Sequence, residues 1–138
     1  MKSILVDTGF LVALYDKREP LHGRCLSLHD ETAGRLISCE AVIVETLHLL
    51  RKVHGAANAI LESVHHGILE IPFTLADSAS AVSELMIKYR DQPIDFTDAC
   101  LIQMAGDLNI GDILTLDSDF NHYRWGRNKR FNLLVPLD

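Results

Sequence analysis

Short apolar runs alternate along this chain with stretches whose apolar positions recur at helical spacing. Residues 3–7 read as a short buried strand, and residues 8–15 continue as a helix. Further strands are expected at 35–38, 69–73, 112–116 and 131–136. Helices fill the gaps, at 20–30, 40–53, 56–66, 75–90 and 96–108. Pro20 suits a first helical position, and Gly55 separates two helices. Pro93 closes the loop before the last one. In the helix at 40–53, Val44, Leu47, Leu50 and Val53 offer an apolar stripe. Strands that are apolar throughout and linked by helices belong to sheets covered on both sides. The expectation is an α/β fold, a parallel five-stranded sheet with helices on both faces, formed as one domain over residues 1–138.

A hydrophobic fraction of 48% can fill such a core. The longest apolar run, residues 10–15, cannot span a bilayer. Lys2 leads at once into a strand, with no leader pattern, so a cytoplasmic protein without membrane contact is expected. The three cysteines, Cys25, Cys39 and Cys100, are scattered and fit neither a disulfide framework nor a zinc knuckle. Each reads as a small core residue. Seven histidines fit no zinc-site spacing. The net charge of -6 disfavours bulk electrostatic attraction to nucleic acid. It is less awkward if several acids hold divalent cations.

The acids fall where such a fold collects its sites. Asp7 ends the first strand, and Asp117 lies just past the strand at 112–116. Asp98 lies in the first turn of one helix, and Glu45 within the first two turns of another. Helices that follow parallel strands start at the carboxyl edge of the sheet, so all four can meet in one cleft. Mg²⁺ and Mn²⁺ prefer such oxygen ligands. A bound ion lowers the pKa of a water and neutralises phosphoryl charge, so no histidine base is needed. Structural roles compete with this reading. Asp7 could be a helix cap, Asp98 a response to the helix dipole, and Asp95 a cap in box-like spacing with Asp98. Asp117 or Asp119 could be turn residues. Glu45 is harder to explain so, because it sits in an apolar run without a nearby Lys or Arg.

Four segments together resemble a known family. They are Val6-Asp7-Thr8-Gly9-Phe10, Val42-Ile43-Val44-Glu45, Asp95-Phe96-Thr97-Asp98-Ala99-Cys100-Leu101, and Thr115-Leu116-Asp117 with Asp119-Phe120. In this order and over nearly the whole chain they look like the PIN-domain nucleases, closest to the toxins of VapBC toxin–antitoxin pairs. The resemblance implies Mg²⁺- or Mn²⁺-dependent cleavage of RNA, with Asp7, Glu45, Asp98 and Asp117 as the catalytic, metal-holding quartet. It matches Thr8 and Thr115 to small polar positions beside the metal, and leaves Asp95 and Asp119 as extra acids. It further implies a small antitoxin partner and a homodimer.

A basic cluster, Arg124, Arg127, Lys129 and Arg130, is interleaved with Tyr123, Trp125 and Phe131. It is expected at the rim of the site, where it could guide RNA while Trp125 stacks on a base. The competing reading is a solvated hairpin with Trp125 folded into the core. Rival functions are a housekeeping RNA-processing nuclease of the same family, a phosphoacceptor receiver domain, a haloacid-dehalogenase-type phosphatase and a non-enzymatic binding module. The receiver needs paired acids after the first strand and a Lys ending a late strand, and the phosphatase needs a second Asp two residues after Asp7. The sequence supplies none of these.

Overall fold

Ile4, Leu5 and Val6 point alternately to opposite sides of their strand, yet all three are buried. The same holds for Ile113 and Leu114. Both faces of the sheet are therefore covered, as the alternation of strands and helices demands. The computed structural model describes residues 2–92 and 94–137, so the loop closure expected at Pro93 lies outside the described residues.

Strand β1 (Lys2–Val6) is central. On one side it pairs with β2 (Gly34–Ile37), which pairs with β3 (Leu69–Glu70). On the other side it pairs with β4 (Asp112–Leu114). A short hairpin follows, β5 (Arg124–Trp125) against β6 (Lys129–Arg130), and β7 (Asn132–Leu133) then joins β4. All pairings in the main sheet are parallel, in the order β3-β2-β1-β4-β7. The chain first winds away from β1 in one direction and later in the other. A crevice forms at such a reversal, outside the carboxyl ends of β1 and β4.

The helices are α1 (Thr8–Tyr15), α2 (His22–Glu31), α3 (Glu40–Leu49), α4 (Ala56–His65), α5 (Leu75–Lys88) and α6 (Phe96–Leu108). Helix α3 is shorter than its apolar stripe suggests. Its last carbonyls are taken up in turns, and the Arg51 guanidinium donates to the carbonyl of His48. The strands β3, β4 and β7 are also shorter than their apolar runs. Pro72 and Pro136 lack the N–H a longer ladder needs. Beyond β4, Thr115 turns its hydroxyl to the amide of Asp117.

The segment after β4 is anchored by aromatic packing. Phe120 meets Tyr123 and Phe131 edge-on at 5.1 and 5.2 Å between ring centres. Trp125 packs on Phe131 and donates its indole N–H to the carbonyl of Arg130 at 3.1 Å. A methyl group at Gly111 would come within 2.8 Å of the Trp125 ring, so only glycine admits the indole there. Trp125 is buried, which removes its ring from any role in stacking on a base. Trp125→Ala is expected to cost about 3–5 kcal/mol of stability, read from denaturant unfolding. A loss below 1 kcal/mol would contradict that packing role.

Candidate active site

Asp7 follows β1 and caps α1. One carboxylate oxygen accepts from the Thr8 amide at 2.8 Å, the other from the Thr115 hydroxyl at 2.7 Å. The side chain is buried, and burial pushes its carboxyl up to about 6 against those two hydrogen bonds. The charges of Asp117 and Glu45 add to the rise. The cap and the site are thus the same residue, because a carboxylate at a helix start can satisfy one amide and still present an oxygen to the crevice.

Asp98 lies in the first turn of α6, where its amide donates to the Asp95 side chain at 2.8 Å. Its own carboxylate accepts from the Tyr123 hydroxyl at 3.1 Å. Burial pushes the Asp98 carboxyl up to about 8, with Asp95 and Asp7 adding their charge, the Tyr123 hydrogen bond opposing and Asp117 adding less. Glu45 is half-buried on α3 and accepts from the Thr8 hydroxyl at 2.8 Å. Asp117 caps a 3-10 turn at Ser118–Asn121 and accepts from the Asp119 amide at 2.9 Å. Thr115 joins two of these acids, since its hydroxyl donates to Asp7 and accepts from the Asp117 amide.

Asp7, Glu45, Asp95, Asp98 and Asp117 line one cleft of about 410 Å³. Thr8 also lines it. Among the described residues, no ion pair involves any of these five acids. Nor do any three His, Cys, Asp or Glu side chains converge tightly enough to ligate one ion directly. Mutual repulsion holds such carboxylates apart. The donor set is all oxygen and the cleft has room for water, which fits a hard cation that keeps most of its water shell and takes one or two carboxylates.

Two expectations about the surroundings change. Asp119 is exposed and lines a neighbouring depression with Gln92, His122 and Tyr123. The basic cluster does not gather at the rim. Lys129 reaches Asn109 and lies with Lys2 and Asp112 at the amino ends of β1 and β4, the edge opposite the acids. The Arg124 guanidinium is occupied by the carbonyls of Asn121, His122 and Tyr123. Arg127 and Arg130 are exposed on the hairpin, whose turn sits against Gly106 of α6. Eight residues of helix, about 12 Å, separate Gly106 from Asp98. The reason is the hairpin itself, which folds back beside α6 rather than continuing from the carboxyl edge. Arg127→Ala with Lys129→Ala is expected to leave RNA affinity and its salt slope unchanged. A flattened salt dependence in that double variant would restore the guiding role.

Tyr123 is the site residue that sequence reasoning missed. It was grouped with the basic cluster, but its hydroxyl lies on Asp98. Burial and the neighbouring acids push the phenol up, so it remains a donor. Nothing in its local pattern signals this, because the contact spans 25 residues.

The PIN domain model matches residues 4–126, which includes every acid of the cleft. The chain belongs to the PIN domain family. It is 29% identical over 116 residues to Ribonuclease VapC26 of Mycobacterium tuberculosis, covering 83% of this chain and 86% of that protein. The crystal structure of Mycobacterium tuberculosis VapC20, a Sarcin-Ricin loop cleaving toxin, matches this PIN domain with a TM-score of 0.78. That likeness covers 86% of this chain and 93% of the other at 23% identity, and it concerns the fold. The parallel five-stranded sheet expected from the sequence is thus a PIN domain sheet. Among the described residues, no helix is long and apolar enough to cross a membrane.

Proposed function

We propose that this PIN domain is a divalent-cation-dependent endoribonuclease and the toxin of a toxin–antitoxin pair, acting in the cytoplasm. One observation carries the reading: five carboxylates share a cleft at the crevice of the sheet, and no protein cation pairs with them. The likeness to Ribonuclease VapC26 supports RNA as the substrate. Asp7 and Asp98 would hold the cation, Mg²⁺ or Mn²⁺, with Glu45 and Asp117 reaching it through water. When bound, the ion supplies a water of lowered pKa and neutralises phosphoryl charge. Thr115 and Thr8 orient Asp7 by their hydrogen bonds. Thr8 also engages one oxygen of Glu45, which leaves the other to take a proton from the attacking water. Tyr123 fixes the rotamer of Asp98, and Asp95 fixes the start of α6.

The test is cleavage of a mixed RNA panel by purified protein in Mg²⁺ or Mn²⁺ against EDTA, with product ends mapped. Cleavage only with the metal is expected, and full activity in EDTA rejects the mechanism.

A small antitoxin would silence the enzyme by presenting an Arg or Lys to the carboxylates in place of the cation. The apolar run at 10–15 was expected to serve as its seat. Phe10, Leu11, Val12 and Ala13 are instead buried in the core, so they offer no docking surface. Expression without the partner is expected to arrest growth, whereas harmless expression of active enzyme would point to a housekeeping role. The active form is proposed to be a homodimer, and a monomer by light scattering at micromolar concentration would reject that part.

A further inference from the structure

Two of the three thiols meet where the sequence keeps them 61 residues apart, a separation set by their positions at 39 and 100. Cys39 caps the start of α3 and Cys100 sits in the second turn of α6. Their thiols are in hydrogen-bond contact, and each side chain is only 1% exposed. They are not sealed from solvent. Both line a pocket of about 280 Å³ walled by Val44, Phe73, Leu75 and Phe96. Val44 is 67% exposed and Phe96 40%, so the pocket opens outward. Cys25 is fully buried and lies outside that pocket.

We infer that Cys39 and Cys100 form a reversible disulfide site, oxidised by a small uncharged peroxide that enters the apolar pocket beside the catalytic cleft. The apolar walls admit a neutral oxidant more readily than a charged one. The Cys39 sulfur attacks one oxygen of hydrogen peroxide and the O–O bond breaks. The thiol proton leaves with the other oxygen as water, and Cys39 becomes a sulfenic acid. The Cys100 sulfur then attacks the Cys39 sulfur. The S–O bond breaks, and the hydroxide departs with the Cys100 proton as a second water. Two thiols are oxidised by two electrons, and one peroxide is reduced to two waters. A small dithiol reverses the bond by exchange.

The bond would tie the start of α3 to the second turn of α6. Those helices carry Glu45 and Asp98, the latter two residues before Cys100. Fixing their separation changes the spacing of the acids in the cleft and lowers cleavage. This consequence rests on the ribonuclease reading; the bond itself does not.

The test treats the reduced, Mg²⁺-loaded protein with hydrogen peroxide, blocks free thiols by alkylation and maps the peptides by mass. A linked Cys39–Cys100 peptide is expected, with Cys25 still alkylated once the chain is unfolded. RNA cleavage is expected to fall at least about tenfold and to recover in dithiothreitol. Cys100→Ala is expected to keep its basal activity and lose the peroxide response. Absence of the linked peptide overturns the inference, and so does a linked protein that cleaves as fast as the reduced one. If the reduced protein cleaves no RNA, the ribonuclease reading fails, and the peptide map alone decides whether the disulfide site exists.

Discussion

Asp98→Asn is expected to reduce cleavage at least about a hundredfold while making the metal-free protein more stable. The two effects have one cause. Asp98 is buried among the charges of Asp95, Asp7 and Asp117, and its only side-chain donor is a single phenol. An ionised carboxylate there is costly without a cation. Asparagine keeps the shape and still accepts from Tyr123, but it brings no charge to be desolvated. The gain is expected to be about 1–3 kcal/mol, read from denaturant unfolding in EDTA at pH 8. The same change removes an anionic oxygen from the cation's site, so the protein binds the ion poorly and loses activity. Stability is traded for function at this position, as is common where a site stores repulsion. A variant that still cleaves would remove Asp98 from the mechanism. An inactive variant that is less stable than the parent would mean that Asp98 has a structural role instead.

The second large effect is in the pH dependence of the metal-free protein. The Asp7 carboxyl is raised to about 6 and that of Asp98 to about 8, both from 3.8. The folded state therefore holds protons that the unfolded chain has already released. Folding takes up protons across that interval, so stability falls as pH rises. The stabilising protons are fully present below the unfolded value. Asp7 loses its proton on passing about 6, and Asp98 on passing about 8. Thermal melts in EDTA are expected to drop from pH 5 to pH 8 and then level off. Added Mg²⁺ or Mn²⁺ should raise the melting temperature more at pH 8 than at pH 5, since the cation and the protons relieve the same repulsion. In Asp98→Asn the part of the drop between pH 6 and 8 should vanish. A melting temperature that rises between pH 6 and 8 without metal contradicts the picture.

Thr115 offers a smaller check on the same network. Its hydroxyl serves both Asp7 and the Asp117 amide from a fully buried position. Thr115→Val keeps the volume but leaves two polar groups without that partner. The cost is expected at about 1–3 kcal/mol, together with weaker binding of the cation.

The alternation of apolar strands with helices determined the parallel sheet, because a strand apolar on both sides must be covered on both sides. Asp7 and Asp117 were legible for a related reason. They directly follow apolar runs, and in a parallel sheet the carboxyl ends lie along one edge. Glu45 stood out because an acid in an apolar helix needs a partner, which Thr8 supplies. The places where local reasoning stopped are those decided by contacts between distant residues. The hairpin carrying Lys129 has the composition of a nucleic-acid-binding loop. Its position was set by Trp125, whose indole fits only over the bare backbone of Gly111 and so draws the hairpin to the opposite edge. Tyr123 shows the same limit, since periodicity says nothing about a hydroxyl that reaches 25 residues back to Asp98. The order of strands was likewise decided by packing. Sequence periodicity tells which residues are buried, but many arrangements bury them equally well. Only the assembled sheet, with β1 between β2 and β4, determined which carboxylates share a cleft and which two cysteines touch.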